Sequence, residues 1–385
     1  MKIAEYYVMM VLSRRESILS WLEIRERARP TMATIHDVAK LAQVSISTVS
    51  RVFNGTAFVN DDVKQRVEAA MHELHYQPSP AARSLRVNRS RIIGLLISDI
   101  QNPFFMSLIQ GVEDEAQRQG YSVLLCNSSE DSAREQQYLQ VLYAERVAGV
   151  IFVPTRERLG PALDAFHERN IPLVAVDRRV KDHEADAVLV DNVMGARMAV
   201  EHLIANGYRR IGVITGPKTV TTGHDRLEGY RQALRAAEIP HDPALERWGK
   251  FQRESGAQLA AELLAVQPAL DAIFAGNNLI AMGALDAIHA QGLRVPQDMG
   301  FVGYDELPWV APGIVSLTTI AQPVYELGSA AASRLFQRLQ KKGPQSRQEV
   351  ILSPTLHIRD SSQPRQPTVF NDHIINRQEP SEKLS

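Results

Sequence analysis

From residue 92 onward the chain alternates short, continuously apolar runs with amphipathic stretches, and this alternation constrains the fold more than any other feature. Strands are expected at 92–100, 121–126, 148–153, 172–177, 187–190, 210–215, 272–275, 300–304 and 317–320, with helices such as 104–119 and 279–291 between them. A strand that is apolar throughout must be covered on both faces, which is the habit of parallel sheets wound with helices. So many strands overfill one such sheet, so an α/β chain of two Rossmann-like lobes is expected, the first completed near Asp191. Ligands of open α/β sheets collect beyond the carboxyl ends of the strands, and two facing lobes would frame one cleft there.

Length and composition add limits. At 385 residues two or three units are expected. No run approaches the roughly 18 to 20 apolar residues of a membrane helix, so no membrane partner is expected. The one cysteine, Cys126, lies in an apolar strand, excludes an intrachain disulfide and suits a reducing cytoplasm. Segment 1–31 stands apart: its apolar run at 8–12 is followed by Arg14 and Arg15, without a small-residue cleavage site, so a secretory signal is not expected. Met32 is the expected natural start, with 1–31 either disordered or an over-long gene start. The polar, proline-punctuated 361–385 is expected to be a disordered tail.

Ahead of the α/β region lies a small helical one. Thr34 can cap a helix with Asp37 three residues on, Val38, Ala39, Leu41 and Ala42 form its apolar stripe, and Ser45 can cap a second helix. In that second helix Val49 and Val52 repeat on one side, leaving Ile46, Ser47, Ser50 and Arg51 to face outward. Val63, Val67, Ala70 and Leu74 supply a third wall. Between Met32 and Arg91 eight Lys or Arg face five Asp or Glu, an excess of +3 in a chain of net charge −1. A helix-turn-helix with a local basic excess makes double-stranded DNA the first partner to consider.

The run Ala33-Thr-Ile-His-Asp-Val-Ala-Lys-Leu-Ala, then Val44-Ser45-x-x-Thr48-Val49-Ser50-Arg51-Val52-x-Asn54, Tyr76-x-Pro78 and Ala82-Arg83-Ser84-Leu85, resembles the DNA-binding headpiece and hinge of the LacI/GalR family of bacterial transcription regulators. The resemblance continues to about Asp360 and implies a headpiece at 32–77, a hinge helix at 78–90 and a two-lobed effector-binding and dimerisation domain of periplasmic-binding-protein type at 91–360. Lobe 1 is expected to comprise 91–191 plus 323–340, and lobe 2 to comprise 192–322 plus 349–360. It further implies a homodimeric repressor on a pseudo-palindromic operator, with Thr34, Ser45, Ile46, Ser47, Thr48, Ser50, Arg51, Asn54 and Tyr76 at the DNA. Paired hinge helices carrying Ala82, Arg83 and Leu85 would enter the minor groove, Leu85 as the wedge.

The residues at the strand ends suggest what the cleft takes. Asn102, Phe104 and Phe105 follow the first strand, Asp177 and Arg178 the fourth, and Arg226, Asn277, Asp305 and Gln322 lie at later strand ends or helix starts. Asp, Asn, Gln and Arg offer paired acceptors and donors to hydroxyls, and aromatic faces take the C–H surface of a sugar. The set resembles that of ribose-type binding proteins, which adds Phe251 as a further wall. One position departs: Val153 stands where the ribose-type pattern has a polar Asn, leaving one sugar hydroxyl without its partner, so the expectation is a monosaccharide that need not be ribose. Asn102 and Asn277 could instead serve only as helix caps, and Phe104 or Phe105 only as core. No phosphate loop or nucleophile elbow is present, and His72 and His75 lack a third ligand, so neither enzyme, cofactor nor metal is expected. The competing reading is a sugar-binding receptor without a DNA role.

Overall fold

The computed structural model describes residues 33–54, 59–76, 90–158, 160, 162–181, 185–307, 316–344 and 346–364. The extension 1–31, the hinge residues Ala82, Arg83 and Leu85, and 365–385 lie outside the described residues. The chain divides into two compact units, Met1–Asn88 and Arg89–Ser385.

The first unit is built from α1 (Ile35–Leu41), α2 (Ile46–Asn54) and α3 (Asp61–Glu73). Thr34 and Asp37 form a reciprocal capping box: the Thr34 amide donates to the Asp37 carboxylate at 2.8 Å and the Asp37 amide to Thr34 Oγ1 at 3.4 Å. Gln43, at φ 54°, turns the chain, and Ser45 Oγ accepts the Thr48 amide at 3.2 Å to start α2. Val38, Ala39, Ala42, Val49, Val67 and Ala70 close the core. Two residues depart from the pattern read in the sequence. Leu41 is 43% exposed at the edge of its stripe. Ile46 does not face outward but packs on this core, because it lies one helical turn before Val49 on the same face.

The second unit holds two six-stranded sheets. The first contains β1 (Ile92–Ile97), β2 (Ser122–Asn127), β3 (Val150–Phe152), β4 (Leu173–Val176), β5 (Asp186–Val190) and β11 (Glu349–Leu352), in the order β11-β5-β4-β3-β1-β2. The second contains β6 (Ile211–Thr215), β7 (Glu246–Trp248), β8 (Ala272–Ala275), β9 (Gly300–Tyr304), β10 (Thr318–Ala321) and β12 (Thr355–His357), in the order β12-β10-β9-β8-β6-β7. The two orders match strand for strand, and among the described residues every strand pairing is parallel except that of β10 with β12. The first sheet is covered on one face by α4 (Phe104–Arg118) and α11 (Val324–Leu339), through Leu108, Val112 and Leu335. Its other face packs Leu96, Phe152 and Ala187 on α5 (Ser132–Ala144) and α6 (Ala162–Glu168), through Leu139, Leu142 and Phe166. The second sheet is flanked by α7 (Asn192–Ala205) with α8 (Thr221–Ala236), and by α9 (Arg253–Leu264) with α10 (Asn278–Ala290). Continuous apolar strands and two-sided cover are thus the same fact seen twice.

The three strands absent from the sequence reading are all at sheet edges, or short and half-wet. Glu349–Leu352 and Thr355–His357 are mostly exposed and Glu246–Trp248 is half-buried, so none carries an apolar run as long as those of the covered strands, Val350-Ile351-Leu352 being three residues. One of them moves a boundary. Residues 349–352 pair in parallel with Ala187–Val190, so they belong to the first lobe rather than the second, and only the chain from 355 joins the second sheet. The chain therefore passes between lobes at 190–192, 321–324 and 352–355. Residues 361–364 depart from the expected disordered tail. Asp360–Ser362 forms a 3-10 turn with Ser361 and Ser362 buried, because Ser361 Oγ donates to the Phe301 carbonyl and accepts the Thr318 amide, while Ser362 Oγ lies 2.7 Å from His202 Nε2. Cys126 is buried, which pushes its thiol pKa up.

Candidate ligand cleft and nucleic-acid interface

The matched sheets put matched corners face to face. Asp177 follows β4 and Asp305 follows β9, and both take left-handed backbone angles, φ 69° and 70°. Each amide donates to the neighbouring strand, Asp177 to the Val188 carbonyl at 3.0 Å and Asp305 to that of Ile320 at 2.8 Å. Non-glycine residues in this conformation are uncommon, with Asp among the more tolerant, and they concentrate where a site needs a side chain turned out of a strand. Here both carboxylates turn into the space between the lobes, a cleft of about 350 Å³ in part open to solvent.

All ten residues expected at the ligand line this one cleft: Asn102, Phe104, Phe105, Asp177, Arg178, Arg226, Phe251, Asn277, Asp305 and Gln322. The caps and the cleft are not alternatives. Asn277 Oδ1 accepts the Ile280 amide at 2.9 Å to start α10, and Asn102 Oδ1 accepts both the Phe104 amide at 3.0 Å and the Asn278 side chain of the other lobe at 2.9 Å. Phe104 and Phe105 meet edge to face, 5.1 Å between centroids, and serve the lobe core as well as the cleft wall. Val153, by contrast, is fully buried in the core of the first lobe and is not among the lining residues.

Both arginines are held rigidly. Arg178 makes a two-pronged pair with Glu130 at 2.7 and 2.8 Å, and a third bond to the Pro154 carbonyl at 3.0 Å. Arg226 donates Nε to Asn192 Oδ1 at 2.8 Å and Nη1 to the Gly276 carbonyl, and stacks 3.7 Å from the centroid of the Tyr304 ring. Planar guanidinium groups fixed this way present their remaining donors in one geometry. Gln322 Nε2 donates to Asp305, while Gln322 Oε1 is buried without a protein partner.

Sequence reasoning missed three lining residues: Asp99, Glu130 and Thr222. Thr222 had a legible signal, since it lies one helical turn before Arg226 on α8. Glu130 had none, because it sits in the turn beyond β2, where Ser129 and Glu130 both take left-handed angles. With it the cleft counts four carboxylates (Asp99, Glu130, Asp177, Asp305) against two guanidiniums (Arg178, Arg226). Burial pushes Asp177 up to about 6, with Arg178 and Arg226 opposing. Burial likewise raises Asp305, against Arg226 and Gln322. Glu130 goes the other way: burial would raise it, but the charge and hydrogen bonds of Arg178 hold it below the ordinary carboxylate range.

A second line of contacts joins the lobes outside the cleft. The Arg179 amide donates to Thr221 Oγ1 at 3.1 Å and its guanidinium lies 3.3 Å from Asp225, both in the second lobe, while Glu349 of its own lobe steadies the guanidinium at 3.5 Å. The Glu157 amide donates to the Thr219 carbonyl at 2.9 Å.

On the helical unit, Thr34, Ser45, Ser47 and Arg51 are exposed, while Ile46, Thr48, Ser50 and Tyr76 are half-buried. The hydroxyls of Ser47 and Thr48 lie 2.7 and 2.8 Å from that of Ser45, at the start of α2. Tyr76 packs on the core. Asn54 ends α2, and its side chain lies outside the described set. His72 and His75 are exposed, and among the described residues no His, Cys, Asp and Glu group could hold a metal. No described helix is long and apolar enough to cross a membrane.

Two lobes hinged by three crossings, closing on a polar cleft, define a ligand-binding domain of the periplasmic-binding type, here carried with a helix-turn-helix unit. Residues 90–359 match the periplasmic binding proteins and sugar-binding domain of the LacI family, and 34–79 match the lacI family of bacterial regulatory proteins. The chain belongs to the LacI family. It is 41% identical to the ribose operon repressor of Halalkalibacterium halodurans, over 81% of this chain and 92% of that one. Among solved structures it is similar to the lac repressor dimer bound to operator and an anti-inducer, with 29% identity and a TM-score of 0.75 over 86% of this chain and 99% of the other. It is also similar to a LacI-family regulator of Enterococcus faecium with bound ribose, with 31% identity and a TM-score of 0.63 over 71% and 100%.

Proposed function

We propose that this chain is a cytoplasmic transcriptional repressor that binds a pseudo-palindromic operator as a homodimer, and whose operator affinity is set by an unphosphorylated pentose, D-ribose first, held between the lobes. The observation that carries the ligand class is the make-up of the cleft. Three phenylalanines, paired acceptors and donors at Asp177, Asp305, Asn277 and Gln322, and fixed guanidiniums suit a small polyol with one apolar face. Four carboxylates against two guanidiniums disfavour a phosphate ester, whose added negative charge would face an already negative site. The name of the repressor from Halalkalibacterium and the ribose in the Enterococcus structure support the same choice.

Ligand closing the cleft would move one lobe against the other, and hence the hinge segments that precede residue 90. A coupling of about 1 to 3 kcal/mol suffices for roughly 5 to 150-fold control of operator affinity. On the DNA side, Arg51 is the candidate guanine contact, with Ser47, Thr48 and Ser50 setting the remaining preference, while Thr34, Ser45 and Tyr76 position the helix. A minor groove entered by Ala82, Arg83 and Leu85 would supply the central kink. A receptor without a DNA role has no use for the matched headpiece. A thermal-shift screen of the full chain against free pentoses, hexoses and sugar phosphates tests the reading, since a ligand of the native state raises its melting temperature. D-ribose should give the largest shift and ribose 5-phosphate little; a shift only for phosphorylated sugars would overturn it.

A further inference from the structure

Phe251 leaves β7 in a short loop and lies across the carboxyl end of β6, 7% exposed at the cleft wall. Its ring ends against Gly216, the residue after β6. A Cβ placed at Gly216 would fall 2.1 Å from Phe251 Cζ, 2.4 Å from Cε1 and 2.8 Å from Cε2. Carbon atoms in contact stand about 3.5 to 4.0 Å apart, so any side chain at 216 requires the ring to leave its place. Gly216 does not use the left-handed backbone region. Glycine is therefore required by the ring and not by the turn, which separates this position from an ordinary loop glycine.

The surroundings decide where a displaced ring would go. Behind it lies the packed core of the second lobe, to which Phe251 belongs together with Ile214, Val220 and Ala275. The guanidinium carbons of Arg178 and Arg226 stand 5.4 and 6.0 Å from its centroid, so the ring also touches the two cations that the cleft presents to a ligand. The open side is the cleft itself. We propose that Gly216 is a specificity-determining position of the cleft: the missing side chain lets Phe251 lie back against β6, and this recess sets the depth available to a monosaccharide between the lobes. The inference rests on the reading of the cleft as a free-sugar site. Gly216 touches no ligand in this account and acts only through the ring it seats.

The test is a double-mutant cycle on the full chain with D-ribose as the probe, in isothermal titration calorimetry. Gly216→Ala should weaken D-ribose binding at least 30-fold. Phe251→Leu, which shortens the side chain and removes the ring, should weaken it on its own, but adding Gly216→Ala to Phe251→Leu should cost less than about 3-fold more. A small effect of Gly216→Ala alone, or an equal loss in both backgrounds, overturns the proposal, because the glycine would then act through something other than the ring. If the wild-type chain does not bind D-ribose, the ribose reading fails by itself. The Gly216 inference is then decided by the crystal structure of Gly216→Ala: a ring moved into the cleft supports it, and a ring still against β6 refutes it.

Discussion

Asp177 carries the sharpest quantitative consequence of this cleft. Its carboxyl is buried and faces Arg178, Arg226, Asp305 and Glu130, and the balance of burial over the two guanidiniums moves it from 3.8 to about 6. A shift of that size corresponds to roughly 3 kcal/mol between the protonated and ionised forms. The sign follows from proton binding. Between pH 3.8 and about 6 the folded chain keeps a proton that the unfolded chain releases, so the contribution of Asp177 is intact at the acid end and lost as pH rises through about 6. Asp177→Asn preserves the shape and removes the titration. Its stability relative to wild type should therefore rise by about 3 kcal/mol between pH 4 and pH 7, measured by urea unfolding across that range. A bound sugar hydroxyl donating to the carboxylate favours its ionised form, so D-ribose affinity of the wild type should increase from pH 5 to pH 7, and the variant should lose that dependence. A pH-independent stability difference, or a wild type that gains on the variant as pH rises, would show that the guanidiniums outweigh burial and would refute the reasoning.

Other perturbations probe other parts. Arg179 and Asp225 join the lobes outside the cleft while remaining 36% and 27% exposed, so Arg179→Ala should weaken D-ribose binding only about 2 to 5-fold, with the effect shrinking in high salt; calorimetry at low and high salt that found no salt dependence would remove this latch from closure. Thr34→Ala breaks the capping box and should cost the headpiece about 1 kcal/mol, read by amide exchange of α1 and α3, with no change at the cleft. Arg51→Ala should lose about 1 to 3 kcal/mol of specific operator binding while leaving D-ribose affinity unchanged, by fluorescence anisotropy and calorimetry. Cys126 should react slowly with a thiol reagent at pH 8 in the native chain and quickly in urea, because burial raises its pKa and screens it.

The parts of this molecule that could be read from its sequence are those in which one residue type has one physical use. Continuous apolar runs such as Ile92–Ile97 announce strands covered on both faces, and Thr34 with Asp37 announces a helix start. Most of the ten residues first associated with the cleft were legible because strand ends are where open sheets present side chains, Phe251 was added only by resemblance, and all ten do line it. The edge strands were not legible: Glu349–Leu352 is mostly exposed, and its membership of the first sheet depends on a pairing with Ala187–Val190 about 160 residues earlier. Glu130 was hidden for a related reason, since its partner Arg178 is brought to it only by the order of strands in the sheet. Ile46 shows the opposite error, a short helix whose first residue belongs to the buried face.

In the proposed function a free pentose in the cleft controls the hold of the headpiece on DNA. The direct measurement is anisotropy of labelled DNA, selected from random duplexes by the full chain itself, titrated with the protein at fixed salt with and without saturating D-ribose. An affinity change of at least about 5-fold is expected, absent with ribose 5-phosphate and, in Gly216→Ala, reached only at a D-ribose concentration raised in step with its weaker sugar binding, while the DNA binding of that variant without sugar stays as in the wild type. Equal affinity with and without D-ribose, in a chain that calorimetry shows to be saturated with it, would contradict the account.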